Sequence, residues 1–151
     1  MKPRNQHQPP NPFQTAPAVL SVDEISLQTA FSAVGGESNP GWTLVVFSGD
    51  ALGKNDMDHG SSLLLSFLAA LCDKSIMPDE LVFYHTGVLL LSEDHPAAES
   101  IRKLSSMDVQ LLACGESCLE YRVDPSHVKV TAVEMSVIAG HMMNADKVIH
   151  P

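Results

Sequence analysis

The sequence is short of positive charge. Nine lysines and arginines stand against eighteen aspartates and glutamates, a formal net charge of -9. A surface of that sign repels phosphate backbones and anionic lipid, so neither nucleic acid nor a membrane is an expected partner. No apolar run approaches the ~20 residues needed to cross a bilayer. Residues 1–14 are polar and proline-rich, and no secretory signal peptide is read there. Cysteine is scarce and odd in number, three in all. That argues against a disulfide framework and for a reducing, cytoplasmic setting, where close cysteine pairs are catalytic or metal-binding more often than structural. No His-x3-His pair accompanies the cysteines to complete a zinc site, so no metal is expected. The glycine-containing loop at residues 49–56 lacks the Lys-Ser/Thr pair of a P-loop and the glycine spacing of a dinucleotide fingerprint, which removes a phosphate role. No internal repeat is visible.

What is present suffices for one domain. The chain has 151 residues, 44% of them hydrophobic, an ordinary proportion for a globule with a real core. Six of its ten prolines fall in the first 40 residues, so residues 1–18 read as an extended tail. A short helix is predicted over 22–34. Ser21 and Glu24 form a capping box, Leu20 and Ile25 a hydrophobic staple, and Gly35 a stop. Residues 35–41 then link to a domain spanning 42–151.

Within that domain the informative stretch is 108–123, DVQLLACGESCLEYRV. A short apolar run, 109–113, is broken by Gly115. This pattern reads as a buried strand feeding a turn and then a helix. Cys114 is therefore placed at the carboxyl end of a strand and Cys118 in the first turn of the next helix. Ligands and reactive groups of open α/β sheets gather at that edge. A thiolate is a nucleophile and a helix N-terminus favours its charge, while Gly115 allows a tight turn and close approach of a substrate. Glu116 and Glu120 oppose this, because carboxylates near a thiol raise its pKa. The bland alternative is a cysteine buried simply as a small apolar side chain.

The remaining elements alternate. Residues 43–48 read as a buried strand, and the loop after it is expected to line the same sheet edge as Cys114. A helix capped by Asp58 runs to about residue 73, with Leu63, Leu64, Phe67, Leu68 and Leu71 on its apolar face and Cys72 as a small core residue at its end. Residues 80–84 form the second strand, which ends at His85. That position makes His85 a candidate base or hydrogen-bond donor beside a thiol. A third helix is capped by Ser92 or Asp94, with Pro96 in its first turn and Ala97, Ile101 and Leu104 inward. Strand 109–113 follows. Then come a short strand at 128–130, a helix capped by Thr131 and Glu134 with Met135, Ile138, Ala139 and Met142 at core spacing, and a final strand at 146–150. The alternation predicts an α/β three-layer sandwich on a mostly parallel, five-stranded sheet with right-handed crossovers.

From Trp42 onward the chain resembles the DsrE-like sulfur-relay family, most closely the carboxyl-terminal domain of YedF-type, sulfurtransferase-like selenium metabolism proteins. The resemblance rests on Ser48-Gly49-Asp50-Ala51-Leu52-Gly53-Lys54-Asn55-Asp56, on Thr86-Gly87-Val88, on Cys114-Gly115 followed by Cys118-Leu119-Glu120-Tyr121, and on Ala145-Asp146-Lys147-Val148-Ile149. The cysteine segment is the most specific. This chain departs from the pattern in having three residues rather than two between the cysteines, in carrying Arg122 or Val123 where a glycine follows the aromatic, and in lacking a TusA-like Cys-Pro motif. The resemblance implies a flavodoxin-like sandwich and a homo-oligomer, dimer or trimer. It implies that Cys114 takes a sulfane sulfur from a persulfide donor and passes it to an acceptor protein, without a cofactor, and that Cys118 resolves the persulfide or supports the turn. Asp50, Asn55, His85 and Thr86 would line the pocket. The competing reading is an assembly or binding subunit that keeps the fold and does no chemistry.

Overall fold

The computed structural model describes residues 41–151. The tail and helix expected over residues 1–34 lie outside the described residues. Five strands form one parallel sheet: β1 (Thr43–Phe47), β2 (Glu80–Phe83), β3 (Gln110–Cys114), β4 (Thr131–Val133) and β5 (Lys147–Ile149). Between them run α1 (Met57–Leu71), a 3-10 segment (His85–Leu91), α2 (Ala98–Ser106), α3 (Gly115–Glu120) and α4 (Met135–Asn144). The spatial order is β4-β3-β2-β1-β5, with every pairing parallel. Among the described residues no helix is long and apolar enough to cross a membrane.

That order distributes the helices. From β1 to β4 each step moves one place in the same direction, and β4 to β5 returns across the sheet. Right-handed crossovers put the helices of forward steps on one face and the helix of a return step on the other. The core divides accordingly. Val45, Phe47, Leu81, Phe83, Leu111 and Ala113 pack under α1, the 3-10 segment, α2 and α3. The alternate residues Leu44, Val46, Val82, Leu112 and Cys114 form a smaller cluster with Ile138 of α4. The period of two along each strand makes the division sharp.

Helix α4 buries little of itself. Ile138 is its one buried residue, and the helix carries no charged side chain other than a titratable histidine, His141. A polar contact supplements that burial. Glu80, the first residue of β2, is only 1% exposed, and both its carboxylate oxygens lie close to His141 Nδ1, at 2.8 and 3.1 Å. An ionised carboxylate only accepts, so Nδ1 carries the proton. The Trp42 ring meets His141 edge-on at 5.3 Å. The Trp42 indole nitrogen is buried too, and it is not well enough aligned on any acceptor among the described residues to make a full hydrogen bond. Burial pushes the Glu80 carboxyl above its usual range, and His141, helped by the Trp42 indole, pulls it back down.

Several local expectations change. Asp56, not Asp58, caps α1, accepting from the His59 N–H at 2.9 Å. Leu63 is exposed on that helix because the buried stripe runs through Gly60, Leu64, Leu68 and Leu71. Neither Ser92 nor Asp94 caps α2; the helix starts after Ala97, whose N–H donates to His95 Nδ1 at 3.1 Å. The segment 128–130 is not a strand. Thr131 instead opens β4, because its register partner is Leu112 in β3, and Glu134 becomes the N-cap residue of α4 without a side-chain cap bond. Met135 and Ala139 are exposed, since α4, the one helix on that face among the described residues, turns only a narrow stripe inward.

One close approach fixes the carboxyl edge. The 3-10 segment crosses the end of β1 so tightly that a Cβ on Gly87 would overlap the Phe47 carbonyl. That same carbonyl accepts the Tyr84 N–H at 3.1 Å. Gly87→Ala must push backbone apart and is expected to lower stability by at least about 2 kcal/mol. Urea unfolding is the measurement, and a midpoint matching wild type would show that the edge is not built on this contact.

Candidate functional site

The cysteine segment folds much as its residues dictate. Strand β3 ends at Cys114, which has extended backbone (φ -68°, ψ 115°) and stands at the N-cap position of α3. The β2–β3 register pairs Phe83 with Ala113, and the β3–β4 register pairs Cys114 with Val133. Cys114 therefore lies between Val133 and Tyr84, the residue that follows β2. Helix α3 is only six residues long. It is closed by Arg122 in the left-handed region (φ 54°) and by the Val123 N–H donating to the Cys118 carbonyl at 2.9 Å.

Both thiols are free and buried, Cys114 at 4% exposure and Cys118 at 8%. They do not share an environment. Cys114 belongs to the cluster under α4, and Cys118 to the larger core under α1 and α2. Burial raises the Cys118 thiol above its usual value, and the Cys114 sulfur raises it further. Burial therefore outweighs the flanking carboxylates, which sit on the outer face: Glu116 and Glu120 are exposed.

A cleft of about 460 Å³ opens beside this segment, at the carboxyl ends of β1 and β2. Asp50, Lys54, His85 and Thr86 line it, over a floor that includes Phe47 and Leu64. Three of the residues expected in a pocket, Asp50, His85 and Thr86, are thus brought together. Asn55 and Gly115 do not line the cleft, and neither do Cys114 and Cys118. Asn55 points into solvent on the approach to the Asp56 cap, and Gly115 adjoins the Val133 carbonyl at the start of α3.

His85 joins cleft and cysteine segment. Its backbone is in the left-handed region (φ 51°), a conformation that costs a non-glycine residue of order 1 kcal/mol or more. The His85 N–H donates to Ser117 Oγ at 2.9 Å, and its ring meets Tyr121 edge-on at 5.7 Å. Ser117 within α3 and Tyr121 at its C-cap hold the histidine that walls the cleft. His95 lies near Asp50. Burial pushes its pKa down, and the Asp50 carboxylate pulls the other way. Its Nδ1 accepts a hydrogen bond, which fits a neutral ring.

Ser117, Tyr84 and His95 are the residues that spacing did not reveal. Ser117 sits between the two cysteines, and its role depends on the left-handed turn at His85. His95 precedes a proline, a loop signal that hides its approach to Asp50. Among the described residues no three His, Cys, Asp or Glu side chains stand close enough together to hold a metal ion. The chemistry within reach is that of thiols, with polar and titratable groups in an adjacent cleft.

Comparisons with known proteins agree with the geometry. A search of the curated proteins returns no match. Among solved structures, the protein of unknown function MTH1491 from Methanobacterium thermoautotrophicum superposes with a TM-score of 0.51 at 19% identity, covering 73% of this chain and 99% of that one. The conserved protein of unknown function BT1422 from Bacteroides thetaiotaomicron superposes at 0.56 with 12% identity, covering 78% and 100%. These likenesses show the fold. The model of the DsrE/DsrF-like family matches residues 44–151, all five strands but for Thr43 and both cysteines of the segment, and the chain belongs to that family.

Proposed function

We propose that the protein is a cysteine-persulfide sulfur carrier of the DsrE-like type, acting in sulfur or selenium trafficking, with Cys114 as the receiving thiol. The observation that carries this reading is the position of Cys114, at the carboxyl end of the middle strand of the β4-β3-β2 half-sheet, within a segment matched by the family. The Cys114 thiolate attacks the outer sulfur of a donor persulfide, R–S–SH. The donor S–S bond breaks, a new S–S bond forms on Cys114, and R–S⁻ leaves and takes up a proton. An acceptor thiolate then attacks the outer sulfur in the same way and regenerates Cys114. No external oxidant or reductant is consumed. Donor and acceptor are proteins or small thiols in a reducing, cytoplasmic setting, and the working form is a homo-oligomer. Asp50, His85 and Thr86 line the cleft beside the cysteine segment, and His85 is tied to that segment through Ser117.

The low exposure of Cys114 and Cys118 favours a second reading, an assembly or binding subunit that carries no sulfur. Intact mass spectrometry after incubation with a persulfide donor separates the two. Wild type and Cys118→Ser gain one sulfur atom on the first reading, and Cys114→Ser does not. A chain that gains none in any form belongs to the second reading.

Cys118 is expected to be the slow thiol. Burial, and then the Cys114 sulfur, raise its pKa above that of an ordinary thiol, which disfavours the reactive thiolate at neutral pH. Iodoacetamide labelling followed by peptide mapping should find Cys118 at least about tenfold slower than free cysteine at pH 7. Labelling as fast as free cysteine would remove burial as the control on its chemistry.

A further inference from the structure

We propose that α4 is a lid over Cys114 and that the Glu80–His141 contact is its latch. The inference bears on access to the thiol assigned under the proposed function, and it is testable whether or not that thiol carries sulfur.

Four observations support it. Cys114 is 4% exposed and belongs to the one cluster that α4 closes, through Ile138. A reagent of any size therefore needs that face to open. The helix has little else holding it down: a single buried residue, with half-buried Met142 packed against the same cluster, against four buried residues on α1 and three on α2. Its outward apolar residues, Met135, Val137 and Met143, are exposed and add little burial. Finally, Glu80 is the sole buried charged side chain among the described residues, and it is spent on His141 in the last turn of α4.

The surroundings of the latch are defined. Trp42 packs edge-on against His141, and Asp79 lies beside Glu80 and opposes its ionisation. Asp79 is itself engaged, accepting the Thr43 N–H at 2.7 Å, and Asp146 accepts the Trp42 N–H at 2.6 Å. His141 is thus the single cation-forming partner in contact with the Glu80 carboxylate. The latch stands at the amino end of the sheet and Cys114 at the carboxyl end. Four residues of strand separate them, about 13 Å.

The test is the rate at which iodoacetamide labels Cys114 in the full chain, followed by peptide mapping so that Cys72 and Cys118 report from the same sample. His141→Ala and Glu80→Gln break the latch. Labelling of Cys114 is expected to rise about tenfold, the change produced by about 1.4 kcal/mol in the closed-to-open balance. Cys72 and Cys118, on the other face, are expected to keep their wild-type rates. Leu68→Ala, which weakens the core under α1, serves as the control for general destabilisation and is expected not to single out Cys114. An unchanged Cys114 rate in the latch variants, or an equal rise at all three cysteines, overturns the proposal. Sulfur loading is measured separately, so a carrier without a lid and a lid without a carrier give different results.

Discussion

One reversal of direction organises this molecule. Four strands are laid down side by side, and the fifth returns to the far side of the first. With right-handed crossovers, that return puts a single helix, among the described residues, on one face of the sheet. The period of two along β3 then decides which side chains look at which face. Leu111 and Ala113 face the crowded side, and Leu112 and Cys114 face the sparse one. Three residues intervene between Cys114 and Cys118, and the chain turns from strand to helix within them. The second thiol accordingly joins the crowded core. The two cysteines are close in sequence and separate in environment.

The two faces differ in how firmly they are held. On the crowded face, Leu64, Leu68, Leu71, Ile101 and Leu104 are all buried, and each contributes about 1.5–3 kcal/mol by leaving water. On the sparse face, Ile138 supplies the one full contribution of α4, with half-buried Met142 beside it. A contact between a buried carboxylate and a histidine is then no small part of what keeps α4 in place. Such a contact is costly to form, because the carboxylate loses its hydration. It is also costly to break from one side only, because the carboxylate is left buried without a partner. The raised carboxyl of Glu80 reflects the first effect and its proximity to His141 the second.

Much of this fold was legible in the sequence. Alternating strand-like and helix-like stretches gave five strands, the parallel sheet and the placement of Cys114 at a strand end, because burial on both faces demands continuous apolar runs such as Leu44–Phe47. The misreadings share one cause, which is that local pattern competes with tertiary pairing. Thr131 and Glu134 look like a capping box, yet β3 recruits Thr131 into the sheet, and the helix starts four residues later. The stripe of Met135, Ile138, Ala139 and Met142 looks like a core face, yet on a face covered by one helix only Ile138 is wholly enclosed. Of the pocket, Asp50, His85 and Thr86 follow from position at strand ends. Ser117 and His95 do not, since both act through contacts between elements distant in the chain that no spacing encodes.

The cleft and Cys114 are next to each other without being one site. The cleft sits over the end of β1, on the side of α1, while Cys114 ends β3 and faces α4. Two strand spacings separate those strands, about 10 Å. Between them stands the end of β2, where His85 is held in a strained conformation by Ser117 of the cysteine helix. A small donor bound in the cleft cannot meet the Cys114 sulfur without moving past His85. A sulfur carried on a protein's own cysteine can come from the other side, where the obstacle is one lightly held helix. Within the proposed sulfur-carrier function, the architecture thus favours transfer from a protein partner across the α4 face. The cleft then serves to position whatever occupies it against His85, and through Ser117 it bears on the short helix that Cys114 begins.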